Sequence, residues 1–287
     1  MRVAVVGCGY WGKNLVRNFA ELGVLAAVVD LDGDAVGAQA VTHGLQAANF
    51  EAVLDDPAID AVVVSVPATL HYAFAKRVLE AGKHVFVEKP LALQLAEAEE
   101  LCGLAERLDR RLMVGHLMQY HPAFLALRAL LRDGRLGAVQ YAYSNRLNLG
   151  RIRREENVLW SFAPHDISMI LSLIGAEPDR VSAVGNYHLH PLNADVATMH
   201  LEFSGGERAH IFVSWLHPFK EQKLVVIGTE GMAVLDDGQP WNRKLVLYPH
   251  RMTWQDDAPL PITAEPVPVV LRVATSPKGS TGSPVEP

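Results

Sequence analysis

The feature that most restricts what this chain can fold into is a rhythm running from Val3 to Val114. Short continuous apolar runs (Val3–Val6, Leu25–Val29, Ala61–Val66, His84–Val87, Leu112–Val114) alternate with amphipathic stretches (Trp11–Leu22, Asp34–Thr42, Leu70–Ala81, Ala92–Leu108). Runs that do not alternate with polar residues are strands covered on both faces. Strands separated by helical periods build right-handed βαβ crossovers and hence a parallel sheet. The expected fold class is α/β, opening with a doubly wound parallel-sheet domain over residues 1–119.

After Pro122 a helical stretch, Phe124 to Leu131, stops at Asp133-Gly134, and the pattern changes. Strand-like segments then follow one another: Ala138–Asn148, Val181–His188, Ala197–Phe203, Ala209–Trp215, Lys223–Ile227, Met232–Leu235 and Lys244–Tyr248. Consecutive strands favour an antiparallel sheet. One helix, Pro164 to Ile174, interrupts them and stops at Gly175. An α+β domain with a largely antiparallel open sheet is expected over residues 120–265, and a flexible tail over 266–287, where Pro, Ser, Gly and Thr dominate.

Composition narrows the function. Lys and Arg total 26 against 32 Asp and Glu, a formal charge of −6, so no overall positive field draws the chain to nucleic acid or to an anionic membrane. No apolar run approaches the ~18 residues of a membrane span. Only Arg2 to Val6 precede Gly7, which is no signal peptide, and two cysteines, Cys8 and Cys102, are too few for a disulfide framework. The expectation is a cytoplasmic protein with a small-molecule partner.

The sequence Gly7-Cys8-Gly9-Tyr10-Trp11-Gly12 follows a buried strand and opens a helix. In that context the glycine spacing permits a tight turn, backbone N–H groups close to a pyrophosphate, and close helix–strand packing. Asp30 ends the second strand, where a carboxylate accepts hydrogen bonds from an adenosine ribose and repels a 2′-phosphate. Leu31, not an arginine, comes next, so the expected cofactor is NAD rather than NADP. Cys8 reads as a small buried side chain. Ser65, Pro67 and His71 end the third strand and start the following helix at the same sheet edge. His71 either touches the cofactor or stands in solvent at a helix N-terminus.

At Gly82-Lys83-His84-Val85-Phe86-Val87-Glu88-Lys89-Pro90, taken with Gly7–Gly12 and with His165 further on, the chain resembles the glucose-fructose oxidoreductase, inositol dehydrogenase and MocA (Gfo/Idh/MocA) family of nicotinamide-dependent sugar dehydrogenases. The resemblance runs from residue 1 to about 250. It implies that Lys89 lies beside the nicotinamide and the reacting hydroxyl, with Glu88 at the cofactor, and that His165 completes a site between the two domains. It also implies a homodimer or homotetramer. Family members often carry an Asp four residues before this histidine, and here that position is Ser161. The segments Asn145–Arg151 and Trp160–Ile167 resemble the branch that oxidises UDP-linked N-acetylhexosamines or their uronates at C3. The family's closing helix has no counterpart in the pattern of Glu265–Pro287.

The residues also read without the resemblance. Lys89 closes a buried strand ahead of a proline, which biases it toward extended backbone. Partial desolvation there moves a lysine toward proton transfer; the alternative is a surface lysine balanced by Glu88. On the helix after Pro164, Ile167, Ile170, Leu171 and Ile174 form an apolar stripe, and at ~100° per residue His165 falls away from it, toward cleft or solvent. Asp166 orients a substrate hydroxyl or caps the helix. Asn148, Arg151 and Arg153 either hold a diphosphate or belong to a solvated loop whose arginines pair with Glu155 and Glu156. His116, Gln119, Tyr120 and His121 suit a substrate cleft or a polar linker. His188 and His190 share a strand face but lack further ligands, so no metal is expected.

Overall fold

The computed structural model describes residues 1–30, 42–45, 48–150, 152–153 and 156–272. Its contacts divide the chain into Met1–His116 and Leu117–Pro287.

In the first unit the described elements are β1 (Val3–Val6), α1 (Gly12–Glu21), β2 (Leu25–Val29), α2 (Phe50–Asp55), β3 (Ala61–Val64), α3 (His71–Glu80), β4 (His84–Val87), α4 (Leu95–Arg107) and β5 (Leu112–Val114). The strands form one parallel sheet in the order β2-β1-β3-β4-β5. Its two faces explain the unbroken apolar runs. Val3 and Val5 pack with Val16, Val28 and Val63 on one side, while Ala4 and Val6 pack with Val62, Val64, Val78 and Leu79 on the other. Strand order reverses between β1 and β3, so the crevice outside their carboxyl ends is where an open α/β sheet takes a ligand. The helix expected over Asp34–Thr42 lies, apart from Thr42, outside the described residues. The sequence pattern gave no sign of α2, a six-residue helix held by Asn49, whose Oδ1 accepts from Ala52 N at 2.8 Å.

The second unit begins with α5 (Pro122–Arg132), for which His121 is the N-cap and Pro122 fills the first turn, where its missing N–H costs nothing. There follow β6 (Val139–Leu149), α6 (Val158–Ile174), β7 (Arg180–Asn186), β8 (Val196–Glu202), β9 (Arg208–Ser214), β10 (Leu216–Gly228), β11 (Met232–Asp236), β12 (Leu245–Tyr248), β13 (Arg251–Gln255), β14 (Ala258–Ile262) and β15 (Val267–Pro268). Eight strands make one sheet, β15-β12-β11-β10-β6-β9-β8-β7, antiparallel except between β6 and β9. Side chains of α5 and α6 share a single core with this sheet, including Phe124, Leu127, Met169, Ile170, Ile211 and Trp215.

Several expectations change here. Helix α6 begins at Val158, not at Pro164, because Asn157 caps it by accepting from Trp160 N at 3.1 Å, and Pro164 sits inside at the loss of one helical hydrogen bond. Its most buried stripe is Asp166, Met169, Ile170 and Leu173, with Ile167, Leu171 and Ile174 packing at the flank of the same core. Strand β7 stops at Asn186, so His188 and His190 lie on a loop where Asp195 Oδ2 accepts from the backbone N–H groups of His188 and Leu189. Strands β13 and β14 pair as a separate antiparallel hairpin. Val267–Pro268, within the expected tail, adds a short edge strand against β12, a place where a proline is tolerated. The Pro277–Pro287 stretch lies outside the described residues.

Candidate functional site

The glycine loop has the close packing its spacing demands. A Cβ on Gly7, whose φ is +97°, would lie 2.2 Å from Ser65 O, and one on Gly12 would lie 1.8 Å from Gly7 O. A Cβ on Gly9, by contrast, would meet nothing within 4 Å. Gly7 and Gly12 therefore lock the turn between β1 and α1, and Gly9 leaves open the space a phosphate needs against the backbone. Asp30 Oδ2 accepts from Cys8 N at 2.5 Å, fixing the carboxylate beside this loop at the end of β2. These residues fit a dinucleotide: an open cradle at a helix start and an acidic side chain beyond it. Burial, reinforced by the Asp30 charge, pushes the Cys8 thiol up to about 11, so it is an inert packing residue.

Trp11 and Glu88, both expected at the cofactor, are bound to one another. Trp11 Nε1 donates to Glu88 Oε1 at 2.8 Å. Glu88 is 9% exposed, and burial raises its pKa against the opposing hydrogen bond from Trp11. Tyr10 is exposed. His71 is buried, not solvent-facing, and its ring nitrogens meet Pro90 O at 2.6 Å and Val66 O at 2.8 Å. It thereby ties the loop after β3, which carries Ser65 and Pro67, to the loop carrying Lys89. Lys89 is half-buried, and the Lys89–Pro90 bond is cis. His116, past the end of β5, is held below the usual histidine range by burial and by the charge of Lys89.

In the second unit His165 is half-buried on α6 and its carbonyl accepts from Ser168 Oγ. Ser161, one turn earlier, is buried. Asp166 lies mid-helix, so it is no cap. Its carboxylate takes Arg146 Nε at 2.6 Å, Arg146 Nη2 at 3.3 Å and Ser144 Oγ at 2.5 Å, all from β6. Arg153 Nη1 pairs with Glu156 Oε1 at 3.0 Å. Asn148 is half-buried, and its Oδ1 has no hydrogen-bond partner among the described residues. Arg151 lies outside the described residues. Gln119 Nε2 donates to Ser168 O, and His121 caps α5, which gives both a structural use. Among the described residues no group of three His, Cys, Asp or Glu is placed to hold a metal, and no helix is long and apolar enough to cross a membrane.

Two pairings escaped the sequence reading. Trp11–Glu88 spans 77 positions and Arg146–Asp166 spans 20, and neither spacing belongs to a local motif. The only available signal for the second was an aspartate in a helix otherwise apolar on that side.

A parallel sheet with a glycine loop at its switch point, and a carboxylate at the end of its second strand, defines a dinucleotide-binding protein of the doubly wound class. Family comparison agrees with the geometry: the Gfo/Idh/MocA oxidoreductase model, NAD-binding Rossmann fold, matches residues 1–116, and the Gfo/Idh/MocA C-terminal domain model matches 124–234. The chain belongs to the Gfo/Idh/MocA oxidoreductase family. It is 32% identical over 216 residues to UDP-N-acetylglucosamine 3-dehydrogenase of Acidithiobacillus ferrooxidans, covering 75% of this chain and 67% of that one. The solved structure of that enzyme superposes with a TM-score of 0.79 at 26% identity, covering 93% of this chain and 83% of the other. Inositol 2-dehydrogenase of Rhizobium meliloti is 26% identical over 254 residues, 84% of this chain and 77% of its own. GenD2 from gentamicin A biosynthesis, solved in complex with NAD, has a TM-score of 0.78 at 26% identity over 84% of this chain and 73% of its own.

Asp30→Ala is expected to narrow the preference for NAD over NADP, because it removes the charge that repels a 2′-phosphate. Titration of both cofactors checks this, and an unchanged preference ratio would contradict it.

Proposed function

We propose that this protein oxidises the C3 hydroxyl of a UDP-linked N-acetylhexosamine or its uronate. The observation that carries the reading is the order of groups along the carboxyl edge of the parallel sheet: Asp30 after β2, the glycine loop after β1, and Lys89 after β4. That order supports a dinucleotide laid along the edge with its reactive end toward a half-buried amine. When bound, NAD supplies the acceptor for the hydride leaving the carbinol carbon. Lys89 Nζ takes the hydroxyl proton as the hydride departs, so that no protonated carbonyl has to form. His165 is the second proposed catalytic group. Glu88, held by Trp11, fixes the backbone from which Lys89 projects.

The choice of a nucleotide sugar is supported by the relative acting on UDP-N-acetylglucosamine and by the arginines between β6 and α6. Arg151 and Arg153 are the proposed diphosphate ligands, with Asn148 at the sugar. For Arg153 this means exchanging Glu156, an ion pair whose arginine side is half exposed, for the phosphates. The second reading, a free polyol or inositol, is favoured by the inositol dehydrogenase relative.

The test is NADH formation with UDP-N-acetylhexosamines, their uronates and free inositols, run with wild type, Arg151→Ala and Arg153→Ala. The expected result is turnover of nucleotide sugars with KM raised roughly tenfold or more by loss of a charged phosphate contact. Turnover of free polyols alone, untouched by either arginine change, would overturn the nucleotide-sugar reading.

A further inference from the structure

His71 opens α3 and is 2% exposed, a buried titratable group that no proton transfer proposed above employs. Its Nδ1 lies 2.6 Å from Pro90 O and its Nε2 2.8 Å from Val66 O. Both partners are backbone carbonyls, which only accept. A neutral imidazole has one N–H and one bare lone pair, so it can satisfy one of these contacts and must press its lone pair against the other oxygen. The imidazolium form donates from both nitrogens and satisfies both.

A buried cation needs compensation. The two carbonyls supply part of it, and Glu88 lies within electrostatic reach: burial pushes the Glu88 carboxyl up, while the Trp11 hydrogen bond and the charges of Lys89 and His71 act against that rise. The N-terminus of α3 disfavours a cation at its first residue, but more weakly than two charge-assisted hydrogen bonds favour it.

The two carbonyls belong to different parts of the cofactor cradle. Val66 follows β3 in a loop seated against the glycine turn, since a Cβ on Gly7 would lie 2.2 Å from Ser65 O and 3.0 Å from Val66 N. Pro90 follows Lys89 beyond the end of β4. At this edge Glu88 N–H still donates to Val64 O at 2.9 Å, and one residue further on the link between the two loops is the His71 ring.

We propose that His71 is held as the imidazolium and is a positioning residue, donating to Val66 O and Pro90 O together so that the Lys89 amine keeps a fixed place relative to the glycine loop and the dinucleotide bound there. Its effect on turnover rests on the reading of Lys89 as proton acceptor; its charge does not.

The charge is read by NMR of the full-length protein with nitrogen-15 in its histidines, near neutral pH and without substrate, the signal lost in His71→Gln identifying the residue. Protons on both ring nitrogens are expected. A proton on only one would overturn the assignment, whether or not the substrate reading holds. The positioning role is read by steady-state kinetics with the sugar that yields NADH in the screen above. His71→Gln offers one amide group to two carbonyls, so kcat is expected to fall about tenfold with KM for NAD within about twofold of wild type. In a Lys89→Met background the same change should lower kcat by less than about twofold further, because the residue acts through Lys89. A full tenfold further loss in that background, or a loss confined to KM, would overturn the positioning role. If His71→Gln does not fold by its thermal melt, His71→Asn carries the same comparison.

Discussion

Lys89→Met is expected to lower turnover by roughly a hundredfold or more while leaving NAD affinity within about threefold of wild type, the size and selectivity of a lost acid–base group. Methionine matches the length of the lysine stem and suits a half-buried position, so the fold should tolerate it. The Trp11–Glu88 hydrogen bond and the His71 contacts to Val66 O and Pro90 O do not involve the ammonium, and they should continue to hold the loop. Steady-state kinetics alongside NAD titration separates the outcomes. A loss confined to KM would make Lys89 a binding group, and a collapse of NAD affinity would make it a cofactor ligand.

The largest stability effect is expected at Arg146. Its side chain is 9% exposed and that of Asp166 2%, and they are joined by two hydrogen bonds inside the core of the second unit. Arg146→Ala leaves a buried carboxylate with Ser144 as its remaining polar contact, a situation that costs about 3–5 kcal/mol. Replacing both partners by apolar residues of similar volume, Arg146→Met with Asp166→Leu, should recover much of that loss, because the uncompensated charge goes too. Urea denaturation of the three proteins reads this out. A loss below about 1 kcal/mol in the single variant would mean that water reaches the carboxylate, and the ion pair would then be a minor contributor.

The first unit was readable because its determinants are local. Val3–Val6 and Ala61–Val64 are apolar at every position since both faces of their sheet are covered, and Gly7 and Gly12 each have a steric reason to be glycine. The second unit was readable in its strands but less so in its helix. Pro164 pointed to a helix start that Asn157 in fact makes six residues before the proline, since a cap is decided by one hydrogen bond and an interior proline can be tolerated. The burial of Asp166 was hidden for a different reason. A charged residue on a helix reads as solvent-facing until its partner, Arg146 on a separate strand, is known. Of the two readings His71 offered in sequence, the solvent-facing one fails, because the two carbonyls it joins belong to loops that only the parallel sheet brings together.

The central claim, that this protein oxidises a sugar hydroxyl with NAD, is tested most directly by product analysis. The wild-type protein is incubated with NAD and UDP-N-acetylglucosamine or its uronate, and the sugar product is examined by NMR while NADH is quantified. The predicted result is a carbonyl at C3 formed in equal amount with NADH, with neither formed by Lys89→Met on the same timescale. NADH without a C3 carbonyl, or a modified sugar without NADH, would contradict the account.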